Sequence, residues 1–287
     1  MSLQALPAGA CDTHIHVYDH RYAAAPSSLL RPPDASVDDY REVQRALGLQ
    51  RVVVVQPSTY GFDNRCQVEA IAGLGLDAAR AVVVVDERVT DVDLAELTMA
   101  GARGARFHML PGGALAWSAL PVVAEKIAPF GWHVQLQLNG RQLSEHVEAL
   151  LALPTPLVVD HVGRFMPPVS PDDERFGALL RLVSAGRCWV KLSAPYESAL
   201  DDTHSYVAVT HLVDALIRHA PERMLWATNW PHPGQAQPPG LDDLRRLLFE
   251  WMPDASLRQR ILVDNPIELY GFGSSGPINA PPTEEHP

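Results

Sequence analysis

Cysteine is scarce in this 287-residue chain, and Cys11, Cys66 and Cys188 show neither paired nor Cys-x-x-Cys spacing. That excludes a disulfide framework and a cysteine-based zinc site, and fits a reducing cytoplasm. Positive charge is also short. Against 34 Asp and Glu stand 23 Lys and Arg, and a formal charge of -11 repels nucleic acid and anionic membranes at long range. An anionic small molecule would therefore have to be met by locally placed arginines. No apolar run approaches the roughly 18 residues of a membrane span. Met1 to Gly9 also lack a basic segment followed by an apolar one. The expectation is a soluble, cytoplasmic protein with neither membrane nor nucleic-acid partners, and the sequence fixes no oligomeric state. No Gly-x-Gly-x-x-Gly or Gly-x-x-x-x-Gly-Lys pattern follows any apolar run, which removes support for dinucleotide and P-loop chemistry.

What remains is ordinary globular composition, 47% hydrophobic and 20% charged, enough for a large core. The chain opens on Ala10-Cys11-Asp12-Thr13-His14-Ile15-His16-Val17, an apolar-flanked run that reads as a strand. Histidines at i and i+2 on a strand face the same way. A Pro/Ala/Ser stretch over 20–36 follows and reads as a loop over the site. The β-branched run Arg51-Val52-Val53-Val54-Val55 then signals a strand buried on both faces, hence a parallel sheet. Helical and strand patterns alternate from there. Helices are expected over 38–47, 64–74, 91–100, 118–129, 141–151, 172–185, 203–220, 241–251 and 256–263. Strands are expected over 51–57, 81–85, 104–109, 132–138, 156–160, 188–192 and 223–228. With the first strand this makes eight βα units, which predicts a single-domain (β/α)8 TIM barrel over 1–272 and a flexible tail over 273–287.

Chemistry in such a barrel sits at the C-terminal ends of the strands. Those positions carry His14, His16, Gln56, Ser58, Tyr60, Asp86, Arg106, His108, Gln135, Gln137, Asn139, Asp160, His161, Lys191, Ser193, Asn229 and His232. Polar groups at nearly every strand end build a cavity, because burying them unpaired costs free energy. Bland readings exist for some of them. A His-x-His pair can be a surface feature, Asp160-His161 can start a helix, and His232 between two prolines suits a structural wall. Arg106 is harder to dismiss, since no carboxylate lies nearby in sequence and an unpaired buried guanidinium is not tolerated. A ligand-anion role follows for it, with Arg164 and Lys191 as weaker candidates. His20, His133, His146, His204, His211, His219 and His286 are expected to be solvated.

Taken together, these motifs resemble a known family. Asp12-Thr13-His14-Ile15-His16, Gln56-Pro57-Ser58-x-Tyr60-Gly61-x-Asp63-Asn64, Gly104-Ala105-Arg106-Phe107, Asp160-His161-Val162-Gly163-Arg164, Val190-Lys191-Leu192-Ser193, Thr228-Asn229-Trp230-Pro231-His232 and Asn265-Pro266 are similar, in order, to the lactone-acting branch of the amidohydrolase superfamily. The resemblance implies an enzyme acting on a carboxylated lactone, by hydrolysis or, as the alternative, by isomerisation between 1,5- and 1,4-lactones. A non-catalytic ligand-binding barrel is the reading from another class. The resemblance implies His14, His16, His161 and Asn229 as the catalytic group. Arg106, Ser58, Tyr60, Asn64, Gln137, Arg164 and Lys191 would then bind the substrate. Metal-binding members add a histidine after strand 5 and an aspartate after strand 8, where this chain has Gln135, Gln137, Asn139 and Asn229. No cofactor is therefore expected to be required, and a zinc ion, if held, would sit on His14, His16 and His161. Branch members that hydrolyse pyrone dicarboxylates carry aspartate where Asn229 stands. The isomerase type carries asparagine there but lacks the first histidine of the pair.

Overall fold

The computed structural model describes residues 5–199 and 206–273. Eight parallel strands hydrogen-bond in sequence order: β1 (Cys11–Ile15), β2 (Arg51–Val55), β3 (Ala79–Val83), β4 (Ala102–His108), β5 (His133–Gln137), β6 (Leu157–Val159), β7 (Cys188–Leu192) and β8 (Met224–Trp226). The ring closes just beyond β8. There the His16 amide donates to the Trp230 carbonyl at 2.8 Å and the Asn229 amide to the His14 carbonyl at 3.0 Å. Asp12 staples the same seam from the side, accepting from the Thr228 amide and hydroxyl and from the Tyr40 hydroxyl. Buried acceptors satisfied in this way fix the closure without a bare carboxylate oxygen.

The helices between strands are α1 (Val37–Leu47), α2 (Arg65–Leu74), α3 (Asp91–Met99), α4 (Ala119–Ile127), α5 (Val147–Leu151), α6 (Glu174–Ser184), α7 (Val207–His219) and α8 (Leu241–Trp251). After them come α9 (Ala255–Gln259) and α10 (Asn265–Tyr270). Local chemistry sets several starts. Ser36 and Thr90 form reciprocal capping boxes with Asp39 and Asp93, and Gly48 stops α1 in the left-handed region. The TIM-barrel expectation holds throughout, with three adjustments. β3 begins two residues early because Val52 pairs with Ala79. The helix expected over 141–151 splits into a 3-10 turn (Gly140–Glu145) and α5, because the Gly140 amide is tied to the Arg164 carbonyl and the Asn139 side chain accepts from the Arg141 amide. The run 256–263 gives α9 followed by a π turn (Arg260–Asp264) leading into α10. The first residues of the helix expected from 203, and the tail beyond 273, lie outside the described residues.

Period-two alternation sorts the strands into two faces. Ala105, Phe107, Val134, Leu136, Val190 and Leu192 pack outward against the helices in the main core. The other face points into the barrel: Gly104, Arg106 and His108 on β4 pair in register with His133, Gln135 and Gln137 on β5. At the floor of the barrel sits an apolar cluster of Cys11, Val53, Val158, Trp189, Leu225 and Tyr270. His133 belongs to this floor. Rather than being solvated as expected, it is 1% exposed and meets the Tyr270 ring edge-on, because Gly104 beside it leaves room for an imidazole.

Candidate active site

Above the floor lies a buried layer of charge. Lys191 donates to Gln135 Oε1 at 2.7 Å and stands 3.6 Å from Asp160 Oδ1. Gln135 donates in turn to Asp160 Oδ2. Burial alone would raise the Asp160 carboxyl, but the facing Lys191 ammonium outweighs it and holds it below its ordinary value. Burial brings Lys191 down to about 8. Asp160 was legible only as a strand-end carboxylate, and its place at the centre of this layer is new.

The two histidines of β1 meet as their spacing predicts, with His14 Nε2 and His16 Nε2 3.2 Å apart. His16 Nδ1 lies 2.8 Å from the Val55 carbonyl, which can only accept. That nitrogen therefore carries the proton, and Nε2 of the neutral ring accepts from His14 Nε2. His14 Nδ1, which lies 3.3 Å from both Lys191 Nζ and Asp160 Oδ1, is left to accept from Lys191. Neutrality of both rings follows from burial, reinforced by Lys191 beside His14 and by Arg106 beside His16, which push both far below the ordinary histidine value.

A small cavity of about 60 Å³, open at its mouth, sits over this layer at the C-terminal strand ends. His16, Ser58, Arg106, His108, Gln137, His161, Glu197 and Asn229 line it, with Leu30 of the loop over 20–36 at its rim. Arg106 is 4% exposed; it donates to the Gln56 carbonyl and to Gln137 Oε1, while its Nε has no protein partner. Gln137 Oε1 also accepts from His108 Nδ1 at 3.0 Å. His108 thus turns a bare Nε2 toward its surroundings, and burial with Arg106 nearby keeps it neutral down to about 4. Opposite, the Asn229 amide group donates to the Tyr196 hydroxyl, which lies 2.9 Å from His232 Nδ1. This fixes the amide so that its buried oxygen is left without a partner among the described residues. His161 Nδ1 meets Ser193 Oγ at 2.9 Å, leaving Nε2 for a ligand, and burial lowers its proton affinity.

The loops bearing these groups are strained. His161, Val162, Arg164, Ala194, Asn229 and His232 all have positive φ. For a β-branched residue such as Val162 this is a genuine outlier, and strain of this kind collects where side chains must be aimed.

Of the sequence-selected residues, His16, His161, Asn229, Arg106, Ser58 and Gln137 come together around the cavity. His14 and Lys191 lie one layer beneath it. Arg164 reaches Glu197 at 2.7 Å. Tyr60 and Asn64 are not brought to the cavity: the Tyr60 hydroxyl is bonded to the Asp19 backbone, and Asn64 is bonded to both the amide and the carbonyl of Val84. Glu197 escaped sequence reading because it lies in a turn past β7 (Pro195–Glu197), with no strand pattern to place it.

The residues able to hold a metal also differ from the expectation. His14, Asp160 and His161 each offer a ligand atom within 4.8 Å of the others, so Asp160 takes the place expected for His16. In donor type and spacing these three can hold a divalent ion. Electrostatics oppose it, since the Lys191 ammonium already stands against two of the three ligands.

Comparisons with known proteins place this geometry. The chain is 36% identical over 271 residues to D-galactarolactone isomerase of Agrobacterium fabrum, covering 93% of this chain and 92% of that one. It is 34% identical to 2-pyrone-4,6-dicarboxylate hydrolase of Comamonas testosteroni over 92% and 91% of the two chains. An apo crystal structure of an Agrobacterium tumefaciens protein superposes with a TM-score of 0.87 at 36% identity, covering 93% of this chain and 97% of that one. The amidohydrolase family model matches residues 11–272, and the chain belongs to that family.

Proposed function

We propose that this enzyme rearranges a carboxylated hydroxylactone, moving the acyl group between hydroxyls of one sugar acid. The observation that carries the reading is Asn229. Its amide nitrogen is committed to Tyr196 and its buried oxygen is free, so it can orient a substrate hydroxyl but cannot accept a proton at neutral pH. An internal hydroxyl needs little more than orientation, because well-placed intramolecular attack carries effective molarities of roughly 10⁵ M or more. Arg106, buried with no carboxylate partner among the described residues, supplies the guanidinium for the substrate carboxylate. The neutral His161 imidazole takes the proton of the attacking hydroxyl through Nε2 and returns it to the departing ring oxygen, leaving no net proton change.

Hydrolysis is the second reading, favoured by the same neutral imidazole, which can serve water as base. In either case the reaction runs without a metal, because Lys191 already supplies positive charge beside His14 and Asp160. Product NMR after incubation with a panel of lactones tests the assignment. Ring-contracted lactone is expected from a carboxylated substrate, with turnover unchanged by a chelator. Better turnover of a neutral lactone than of every carboxylated one would overturn it. So would loss of turnover on chelation and its return with one equivalent of zinc.

A further inference from the structure

The cavity is lined by one cation and one anion, Arg106 and Glu197. A site built for a dicarboxylate would not place a carboxylate in its own wall. Glu197 is held there by design of the loops: the turn that carries it follows Ala194 at positive φ, and Arg164, also at positive φ, donates through Nε to its Oε2 at 2.7 Å. Among the described residues no bond is made to Oε1. Two further acceptors of the wall, Asn229 Oδ1 and His108 Nε2, have no partner among the described residues, beside the donors Gln137 Nε2 and Ser58 Oγ.

We infer that Glu197 is a specificity-determining residue, which accepts hydrogen bonds from ring hydroxyls and turns away a second substrate carboxylate. This rests on the carboxylated-lactone reading above and narrows it. The substrate carries one carboxylate, met by Arg106, and at least two hydroxyls, met by Glu197 and Asn229. A like charge in a partly buried wall raises the cost of admitting a second carboxylate, whereas a missing contact would only fail to favour it. Arg164 offsets part of this charge, but it does not line the cavity, so the Glu197 carboxylate is the group that a ligand there meets.

The test compares wild type, Glu197→Gln and Glu197→Asp on two probes: a galactaro-lactone, with one carboxylate and several hydroxyls, and 2-pyrone-4,6-dicarboxylate, with two carboxylates and no hydroxyl. Turnover is followed by NMR and binding by calorimetry. Glu197→Gln should tighten binding of the dicarboxylate by about tenfold or more while raising KM for the hydroxylated lactone. Glu197→Asp keeps the charge, so it should still refuse the dicarboxylate but weaken the hydroxyl contact. Gln can still accept the Arg164 bond, and unchanged thermal unfolding confirms that the fold survives. If the hydroxylated lactone is turned over and the ratio of the two affinities stays the same in Glu197→Gln, the role of Glu197 is overturned and the functional reading stands. If wild type turns over no carboxylated lactone yet Glu197→Gln binds the dicarboxylate more tightly, the reading fails and the wall charge stands.

Discussion

At the scale of single residues, two side chains separate the competing chemistries. Arg106 spends two of its donors on Gln56 and Gln137 and keeps the rest of a planar fork for the ligand. Lysine would keep the charge and lose the fork, so Arg106→Lys should lower kcat/KM for a carboxylated lactone by about 10². Steady-state kinetics on the lactone panel reads this directly, and an unchanged kcat/KM would mean that the carboxylate docks elsewhere. Asn229 sits at positive φ, a conformation that aspartate also tolerates. Asn229→Asp should therefore fold, and should raise hydrolysis of an added lactone because a carboxylate can take a proton from water. The same change should leave internal lactone exchange unimproved. One NMR time course reports both, through ring-opened acid and ring-contracted lactone. Strong hydrolysis by the unmodified protein, lost in a His161 variant and indifferent to Asn229→Asp, would make the imidazole the base.

Elements were more legible than contacts. β-branched runs and helix caps announce eight βα units, because burial on both faces of a parallel strand leaves a continuous apolar signature. Strand ends were legible too, so His16, Arg106, Gln137 and His161 could be picked out as cavity residues. Two kinds of residue were hidden. Glu197 and Tyr196 occupy a turn whose direction is set by tertiary contacts, with Glu197 held by Arg164 and Tyr196 by Asn229 and His232. Tyr60 reads as ligand-binding because it is polar past a strand end, and Asn64 through the motif resemblance, yet their partners are backbone groups that no sequence pattern reveals. His133 was hidden for a similar reason, since the glycine that makes room for it lies on the neighbouring strand. That pairing is testable: a Cβ at Gly104 would come within 2.5 Å of the His133 ring. Gly104→Ala should destabilise the barrel by about 1–3 kcal/mol through overpacking, visible as a lower Tm. Because the contact lies at the floor, kcat/KM of the folded fraction should be unchanged.

Across the whole molecule, buried neutral histidines tie the fold to pH. Burial holds His108 and His232 at about 4 and His133 at about 3, against an ordinary value of 6.5. The folded protein therefore leaves these rings unprotonated where the unfolded chain protonates them. Their stabilising contribution is complete above pH 6.5 and is lost as pH falls toward the folded values, by about 1.36 kcal/mol per pH unit for each ring. Asp12 works in the opposite sense. Burial raises its carboxyl to about 6, so protonation below that value favours the folded state until the unfolded carboxyl also protonates near 3.8. One such carboxyl does not balance three histidines, and the net slope between pH 6.5 and 4 is toward unfolding. Stability of the order of 5–15 kcal/mol is small enough for this to show. Thermal unfolding at constant ionic strength should give a Tm that is level between pH 7 and 8 and falls steadily from pH 6.5 to pH 5. His232→Gln should make that fall shallower, because glutamine does not titrate. A Tm that stays level down to pH 5 would mean that these rings gain protons in the folded protein as readily as in the unfolded chain.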